Sequence, residues 1–279
     1  MGGVCGIIYL SEGKGDSAVS ERYAFDALCE RGVHVFEYDT IGSTNTQARE
    51  YAQNGGSAPA LFVAREQTDG RGRMGRSFFS PMDTGLYMTL LLDVTDDAPT
   101  SVVRITTCAA VAVSDAIEQV CGKQTKIKWV NDLYLAAKKV CGILAESFCA
   151  DGKRYVIIGV GVNLCTERFP AELDGIAASL GICGADDLRT TLAVEITERM
   201  IEIYDRARAG DITYIGEYKR RSAVLGKEVV FSSGELCGSG VAESIDADGS
   251  LHVRLSDGTE VVLNSGEISL RIKREDTDQ

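Results

Sequence analysis

Apolar residues recur along this chain with two periods, and the switch from one to the other marks its elements. A strand is expected over 33–38. Ser43 then stands as the cap of a helix over 44–53, which Asn54-Gly55-Gly56 closes. Residues 61–66 form a strand that leads into a loop of glycines and arginines, and 85–93 (GLYMTLLLD) form another. Over 101–120 the apolar residues fall at 105, 108, 109, 112, 113, 116, 117 and 120, the spacing of a helix with one buried face. Two strands over 126–135 and 139–147 are joined through Ala136-Ala137-Lys138, a further strand covers 154–164, and helices cover 192–204 and 212–221.

From 225 the texture changes. Short β runs at 228–231, 238–245, 251–255, 260–263 and 268–272 are separated by turn signals, among them Asp248-Gly249 and Asp257-Gly258. This pattern predicts a small all-β module, an SH3-like barrel over 224–273. Residues 33–223 are expected to form one larger domain, and 274–279 a charged, frayed tail. Residues 1–32 read as a leader, small and polar over 11–20, with a short helix over 20–30 that sets Phe25 and Leu28 on one side. That leader is too short for a helix-turn-helix domain. The fold class is α+β, a mixed sheet with helices followed by the small module.

Composition narrows the function classes. A chain of 279 residues can bury a sizeable core. It has no run of eighteen apolar residues, so no membrane span is expected. The N-terminus lacks the basic start of a secretory signal, so a cytoplasmic location is expected. The net charge of −12 disfavours general binding to DNA and makes any cluster of arginines conspicuous. Nine cysteines without a Cys-x-x-Cys pair, and only two histidines, argue against a disulfide framework, a zinc site and a histidine-based triad. No protein-held metal is expected.

The conspicuous cluster is Gly70-Arg71-Gly72-Arg73-Met74-Gly75-Arg76. Glycine lets the backbone approach a ligand, and arginine offers a planar fork of donors to phosphate or carboxylate. A solvated face is the ordinary alternative for a short arginine run. In 155–164, Ile158, Val160, Val162 and Leu164 point to the core while Gly159, Gly161 and Asn163 share the other face. Two bare positions leave room for a ligand, or for a bulge or tight helix contact. The stretch KVCGILAES places Val140, Gly142, Leu144 and Glu146 on one face, with Lys139 at its start as a cation for a carboxylate or phosphate. Lys128-Trp129-Val130-Asn131-Asp132 mixes a cation, an aromatic, an amide and a carboxylate. Its alternatives are an adenine-reading Asn with an Asp for Mg²⁺ or a ribose hydroxyl, or a β-turn with a core tryptophan. Ser43-Thr44-Asn45, joined by Gln67, is either a helix cap or a set of partners for a neutral polar ligand group.

Taken in order, Ser43-Thr44-Asn45, Gln67 with the 70–76 loop, the 128–133 block KWVNDL, KVCGILAE over 139–146 and GVGVNL over 159–164 resemble the biotin–protein ligases, also called biotin–[acetyl-CoA-carboxylase] ligases. The resemblance runs from about 33 to 273. It implies a catalytic domain like that of the class II aminoacyl-tRNA synthetases, followed by an SH3-like module. It also implies ATP with Mg²⁺, biotin as substrate, and a biotin carboxyl carrier protein or domain as partner. A homodimer is compatible with it. In this chain it implies that Ser43, Thr44, Asn45, Gln67, Gly70, Gly142, Gly159 and Gly161 meet biotin. Arg71, Gly72 and Arg73 would fold over the adenylate, and Lys139 would face carboxylate and phosphate. Lys128, Asn131, Asp132 and Asn163 would serve the nucleotide. Arg71, Arg73 and Lys139 carry the catalysis in this reading. Met74 and Val130 depart from the family's usual Arg and Pro. With only 32 residues ahead of the catalytic domain, no repressor activity is expected. The rival readings are a lipoate–protein ligase, whose pocket needs length rather than polar partners, a biotin-sensing transcription regulator, and a silent binding module.

Overall fold

The centre of the molecule is a pair of antiparallel strands, β4 (Gly85–Asp93) and β8 (Lys153–Asn163), buried along nearly their whole length. In this computed structural model the described residues are 8–9, 25–97, 101–183, 186–233, 236–264 and 269–272. The other strands of the main sheet are β1 (Ile8–Tyr9), β2 (His34–Ile41), β3 (Ala60–Gln67), β5 (Lys126–Lys128), β6 (Asp132–Leu135) and β7 (Lys138–Ala150). The sheet has eight strands in the order β1-β2-β3-β4-β8-β7-β6-β5, with β1–β2 and β2–β3 parallel and the rest antiparallel.

The pleat sorts the strands between two cores. Leu86, Met88, Leu90, Ile158, Val160 and Val162 face α2 (Val102–Cys121), α3 (Asp186–Arg208) and α4 (Thr213–Arg221). Leu91, Tyr155 and Ile157 face the other way, where α1 (Thr44–Gln53) packs Ala48 and Ala52 against Phe36 and Phe62. Each fully buried aliphatic side chain is worth about 1.5–3 kcal/mol. The two-sided burial of β4 and β8 therefore makes them the rigid base on which a site can be built. α2 begins with Ser101 capping the Arg104 N–H and ends at Gly122, whose φ of 64° lies in the left-handed region that favours glycine.

The C-terminal strands β9 (Glu228–Ser233), β10 (Leu236–Ile245), β11 (Leu251–Leu255), β12 (Glu260–Leu263) and β13 (Ser269–Ile272) form a five-stranded antiparallel sheet in the order β12-β11-β10-β9-β13. It is joined to the larger sheet at a turn. Gly249 O accepts the Trp129 Nε1–H at 2.8 Å, and a Cβ on Gly249 would come within 3.2 Å of Thr107 and Val103 of α2. The architecture is α+β, as the hydrophobic pattern predicts.

Three local expectations need correction. Residues 126–135 are not one strand but two, β5 and β6, paired antiparallel about a turn at 129–131. Trp129 and Val130 are buried there, Tyr218 Oη donates to Val130 O, and Asn131 Nδ2 donates to Ile143 O, so tertiary bonds fix the reversal. Val140 does not share the face of Gly142. A bulge where Leu133 pairs with Cys141 and Tyr134 with Lys139 turns Val140 into the core and brings Lys139 to the Gly142 side. The helix predicted over 192–204 runs from Asp186 to Arg208. At the N-terminus, Ile8 and Tyr9 pair in parallel with Phe36 and Glu37, and residues 25–30 are helical with Phe25 and Leu28 in the main core. The polar leader over 11–20 and the tail over 274–279 lie outside the described residues.

Candidate active site

On the α1 side of β7 and β8 the sheet carries a cleft of about 430 Å³, counted to its open mouth. Thr44, Asn45, Gln67, Arg71, Gly72, Arg73, Asn131, Lys139, Gly142, Gly159 and Gly161 all line it, so one concavity collects residues separated by more than a hundred positions. Ser43, Gly70, Lys128, Asp132 and Asn163 do not line it.

The glycines work differently from a simple gap for ligand. A Cβ on Gly159 would sit 2.1 Å from Asn45 Oδ1, and one on Gly161 would sit 2.4 Å from the Phe78 ring. A Cβ on Gly142 would come within 3.0 Å of Lys139 Nζ and 3.3 Å of Phe78. The bare strand positions thus receive Asn45, Phe78 and Lys139, and those side chains form the floor. Gly70 has the same purpose one layer out, because a Cβ there would meet Phe78 O at 2.4 Å.

One end of the cleft is neutral and polar. Ser43 occupies the cap position of α1, yet its side chain makes no capping bond, and its buried Oγ has no partner among the described residues. Gln67 Oε1 accepts from Thr44 N at 2.9 Å and from Thr44 Oγ1 at 3.0 Å, while Gln67 Nε2 donates to Ser80 Oγ. Thr89 Oγ1 stands within donating distance of both Asn45 Oδ1, at 2.7 Å, and Thr44 Oγ1, at 2.8 Å, so its one proton is shared between two acceptors. Asn45 Nδ2 is buried without a partner among the described residues. An unpaired buried donor costs about 1–3 kcal/mol. Of the two, Asn45 lines the cleft, so its free polar atom marks a place for a partner that the chain does not supply, while Ser43 stands outside the lining.

The other end is cationic. Lys139 Nζ pairs with Asp132 Oδ1 at 2.8 Å, which places Asp132 directly behind the lysine. Arg71 Nη2 lies 3.8 Å from Glu146 Oε1, and Arg49 approaches the same carboxylate at 3.6 Å. Arg73 Nη1 donates to Asn131 Oδ1 at 2.7 Å, so Asn131 ties the arginine loop to the sheet through its second bond to Ile143 O. Burial pushes the Tyr218 phenol far above its ordinary value, which keeps it a neutral donor to Val130 O. Burial likewise raises the Cys141 thiol beneath the strand, so it offers no nucleophile. Lys128 faces the Tyr134 ring, 5.3 Å from its centroid. Asn163 Nδ2 donates to Ala178 O, and its buried Oδ1 has no partner among the described residues.

The arginine loop is a small flap. Phe78 N donates to Gly70 O, and Gly72 N donates to Arg76 O, both at 2.7 Å. A single helical turn at Arg73–Gly75 forms the tip, where Met74 has φ 58° and is 56% exposed. Sequence reasoning missed Phe78, Ser80 and Thr89. Phe78 follows the flap closely, and Thr89 is the one serine or threonine in a strand that is otherwise mostly apolar, so both left a readable signal. Among the described residues no group of three or more His, Cys, Asp or Glu side chains is placed to hold a metal ion, and no helix is long and apolar enough to cross a membrane.

Residues 38–163 match the biotin/lipoate A/B protein ligase family, and 224–271 match the biotin protein ligase C-terminal domain. A Bacillus subtilis protein named bifunctional ligase/repressor BirA is 42% identical over 153 residues, 53% of this chain and 46% of that protein. The match thus spans about half the length of this relative. A Paracoccus denitrificans biotin–[acetyl-CoA-carboxylase] ligase is 31% identical over 232 residues, 79% of this chain and 94% of its own length. The solved Aquifex aeolicus biotin protein ligase in complex with biotin and ATP superposes with a TM-score of 0.75 at 26% identity, covering 86% of this chain and 99% of that one. On these matches, which span the ranges that hold the cleft and the C-terminal module, the chain belongs to the biotin/lipoate A/B protein ligase family, among its biotin–protein ligases.

Proposed function

We propose that this protein joins biotin to ATP, releasing pyrophosphate, and then passes the biotinyl group from biotinyl-5′-AMP to a lysine of a biotin carboxyl carrier protein or domain. The observation that carries this reading is the two-ended cleft, neutral donors at one end and cations at the other, over bare strand positions. Biotin has a neutral polar ring and an anionic tail, and the distance between the two ends is bridged by Gly142, Gly159, Gly161 and Phe78.

In the first step a carboxylate oxygen attacks the α-phosphorus and pyrophosphate leaves. Two anions must approach, so charge compensation and positioning dominate. Arg71, Arg73 and Lys139 supply the compensation, with Asp132 orienting Lys139. Ser43, Thr44, Asn45 and Gln67 hold the ring, and Gly70 and Gly72 give the flap its close approach. Asn163 Oδ1 is an unsatisfied acceptor suited to the amino group of adenine, with Asn131 and Lys128 on the same side of the reading. Mg²⁺ fits as an ion that arrives on the ATP phosphates, where it neutralises charge. The donor set favours this over a protein cage, because no acidic cluster surrounds Asp132 among the described residues. In the second step the acceptor amine attacks the mixed anhydride and AMP leaves. The flap excludes water from that anhydride meanwhile. The unit boundaries that go with this reading are 33–223 for catalysis and 224–273 for the C-terminal module.

The test is biotin-dependent exchange of labelled pyrophosphate into ATP, followed by mass spectrometry of a carrier domain incubated with the protein, biotin, ATP and Mg²⁺. Exchange and a gain of one biotinyl group on a single lysine are expected. Neither signal from folded protein would remove the proposal.

A further inference from the structure

The flap reaches the sheet through its arginines. Within itself it is a short hairpin, with Arg71 opposite Ser77 and the bonds from Gly72 N and Phe78 N closing it. Those bonds shape the flap, but none of them fastens it over the cleft. Two other contacts do. Arg73 donates to Asn131, whose amide in turn donates to Ile143 O of β7. Arg71 lies against Glu146, three residues further along the same strand. The two grips are therefore about 10 Å apart along β7, at about 3.3 Å per residue, with Leu144 of the cleft wall between them.

The outer grip differs in kind from the inner one. Arg73 meets Asn131 at 2.7 Å, a directional bond between a cation and a neutral amide. Arg71 Nη2 stands 3.8 Å from Glu146 Oε1, too far for a hydrogen bond, so charge alone holds it. Glu146 does not line the cleft and has no part in the chemistry proposed above. It does face a second cation. Arg49 of α1 stands 3.6 Å from Glu146 Oε2, while its guanidinium lies 4.3 Å over the Phe148 ring. Oε2 is buried and makes no hydrogen bond among the described residues. The carboxylate is thus shared by two guanidiniums and bonded to neither. Arg49, stacked on Phe148, is the fixed one. Arg71, 42% exposed on the flap, is the one that can leave.

We propose that Glu146 is a positioning residue that holds Arg71 at the cleft wall before the nucleotide arrives, with Arg49 as the counterweight that keeps this hold weak. The inference rests on the biotin-activating reading, in which Arg71 compensates charge, and deepens it by naming what places that arginine. A carboxylate bonded firmly to Arg71 would neutralise the charge that the α-phosphate needs. A carboxylate shared with Arg49 keeps the guanidinium near and still releases it. A phosphate oxygen that reaches Arg71 in a charge-assisted hydrogen bond outcompetes a contact at 3.8 Å.

The experiment follows amide hydrogen exchange over residues 68–80 in the ligand-free protein, with pyrophosphate exchange and thermal melts, for wild type, Glu146→Gln and Arg49→Met. In Glu146→Gln the flap amides are expected to exchange about threefold faster, the scale of a part-exposed ion pair. Its kcat/KM for ATP is expected to fall by a similar factor, through KM more than kcat, because the bound phosphate still finds Arg71. In Arg49→Met the whole charge of Glu146 acts on Arg71, so flap exchange is expected to slow about twofold. Raising salt from about 0.05 M to about 0.5 M should bring wild type to the Glu146→Gln rate and leave that variant unmoved. This salt response is read on the wild-type chain, so the result does not depend on whether a variant folds. Flap exchange or kcat/KM for ATP unchanged in Glu146→Gln overturns the proposal. Faster flap exchange in Arg49→Met overturns it too, because Glu146 would then be only a brace between α1 and β7. Wild-type protein without biotin-dependent pyrophosphate exchange would remove the biotin reading. A ligand-free flap indifferent to Glu146 removes this inference and leaves that reading standing.

Discussion

Replacing Gly159 by alanine puts a methyl carbon 2.1 Å from Asn45 Oδ1, 2.8 Å from its Cγ and 2.9 Å from its Nδ2. The strand cannot move away, because β8 is hydrogen-bonded to β4 on one side and β7 on the other. Asn45 must give instead. It sits in the first turn of α1, buried, and its amide is held by Thr89 at 2.7 Å. Overpacking of this kind costs about 1–3 kcal/mol, and the broken bond to Thr89 adds about 1 kcal/mol. We expect Gly159→Ala to lower unfolding free energy in urea by about 2–4 kcal/mol and to raise KM for biotin at least tenfold. The structure also says which atoms are responsible. Asn45→Ala removes all three of them, so in that background the added methyl has room, and its cost is expected to fall below about 0.5 kcal/mol. The two changes should therefore be strongly non-additive, with a coupling of about 1.5–4 kcal/mol. Additive costs in that cycle would mean that Gly159 is required for some other contact, and the account of the floor given above would fail.

Four further outcomes can be checked. Lys139→Met should slow biotin-dependent pyrophosphate exchange about a hundredfold while leaving the melting temperature nearly unchanged, since its side chain is 28% exposed and only its ammonium touches Asp132; exchange at the wild-type rate would remove Lys139 from the chemistry. Arg73→Gly cuts the tie from flap to Asn131, so release of adenylate in the absence of acceptor should rise more than its formation falls, and unchanged leakage would count against a closing flap. Arg221 is buried between Ser114, Asp115, Glu118 and Glu217, and its replacement by Met should cost about 2 kcal/mol in urea denaturation, less than a fully buried pair because the carboxylates stay partly exposed; a neutral result would show the cluster to be ornamental. Glu260 and then Asp246 raise the His252 pKa, so its contribution to stability is fully present below about pH 6.5 and fades as pH climbs through the raised value. Thermal melts of wild type minus His252→Gln should narrow between pH 6 and 9, and a difference that widens with pH would reverse the assignment.

Much of the fold is legible in the sequence because two-sided burial writes itself plainly. GLYMTLLLD and YVIIGVGVN are apolar in nearly every position, and they became the central pair β4 and β8. The amphipathic spacing over 101–120 likewise gave α2. The turn at 129–131 was legible only as one of two alternatives, a β-turn with a core tryptophan. Trp129 and Val130 continue the apolar run, and what reverses the chain is a set of bonds from Ile143, Tyr218 and Gly249, all distant in sequence. Local pattern records which side chains prefer burial. It does not record which distant carbonyl will receive a given N–H.

The site shows the same division, with a sharper consequence at Lys139. Strict alternation along β7 would send Lys139 to the side of Cys141 and Ile143, into the apolar core, where an ammonium has no solvation. The bulge opposite Leu133 and Tyr134 shifts the count by one residue. Val140 then fills the core beside Cys141, and Lys139 emerges over Gly142 against Asp132. Charge identity alone could place the lysine near a pocket, but only the extra residue in the ladder delivers it there. The same step explains why Asp132 and Lys139 meet. Asp132 occupies the first position of β6, whose register partner is Gly142, so its carboxylate stands on the Gly142 face and meets the Lys139 ammonium at 2.8 Å. A ladder in strict alternation from Gly142, with both residues kept, would therefore exchange Lys139 and Val140 between cleft and core and abolish the ion pair, whereas deleting Val140 alone would remove the bulge and leave Lys139 on the cleft side.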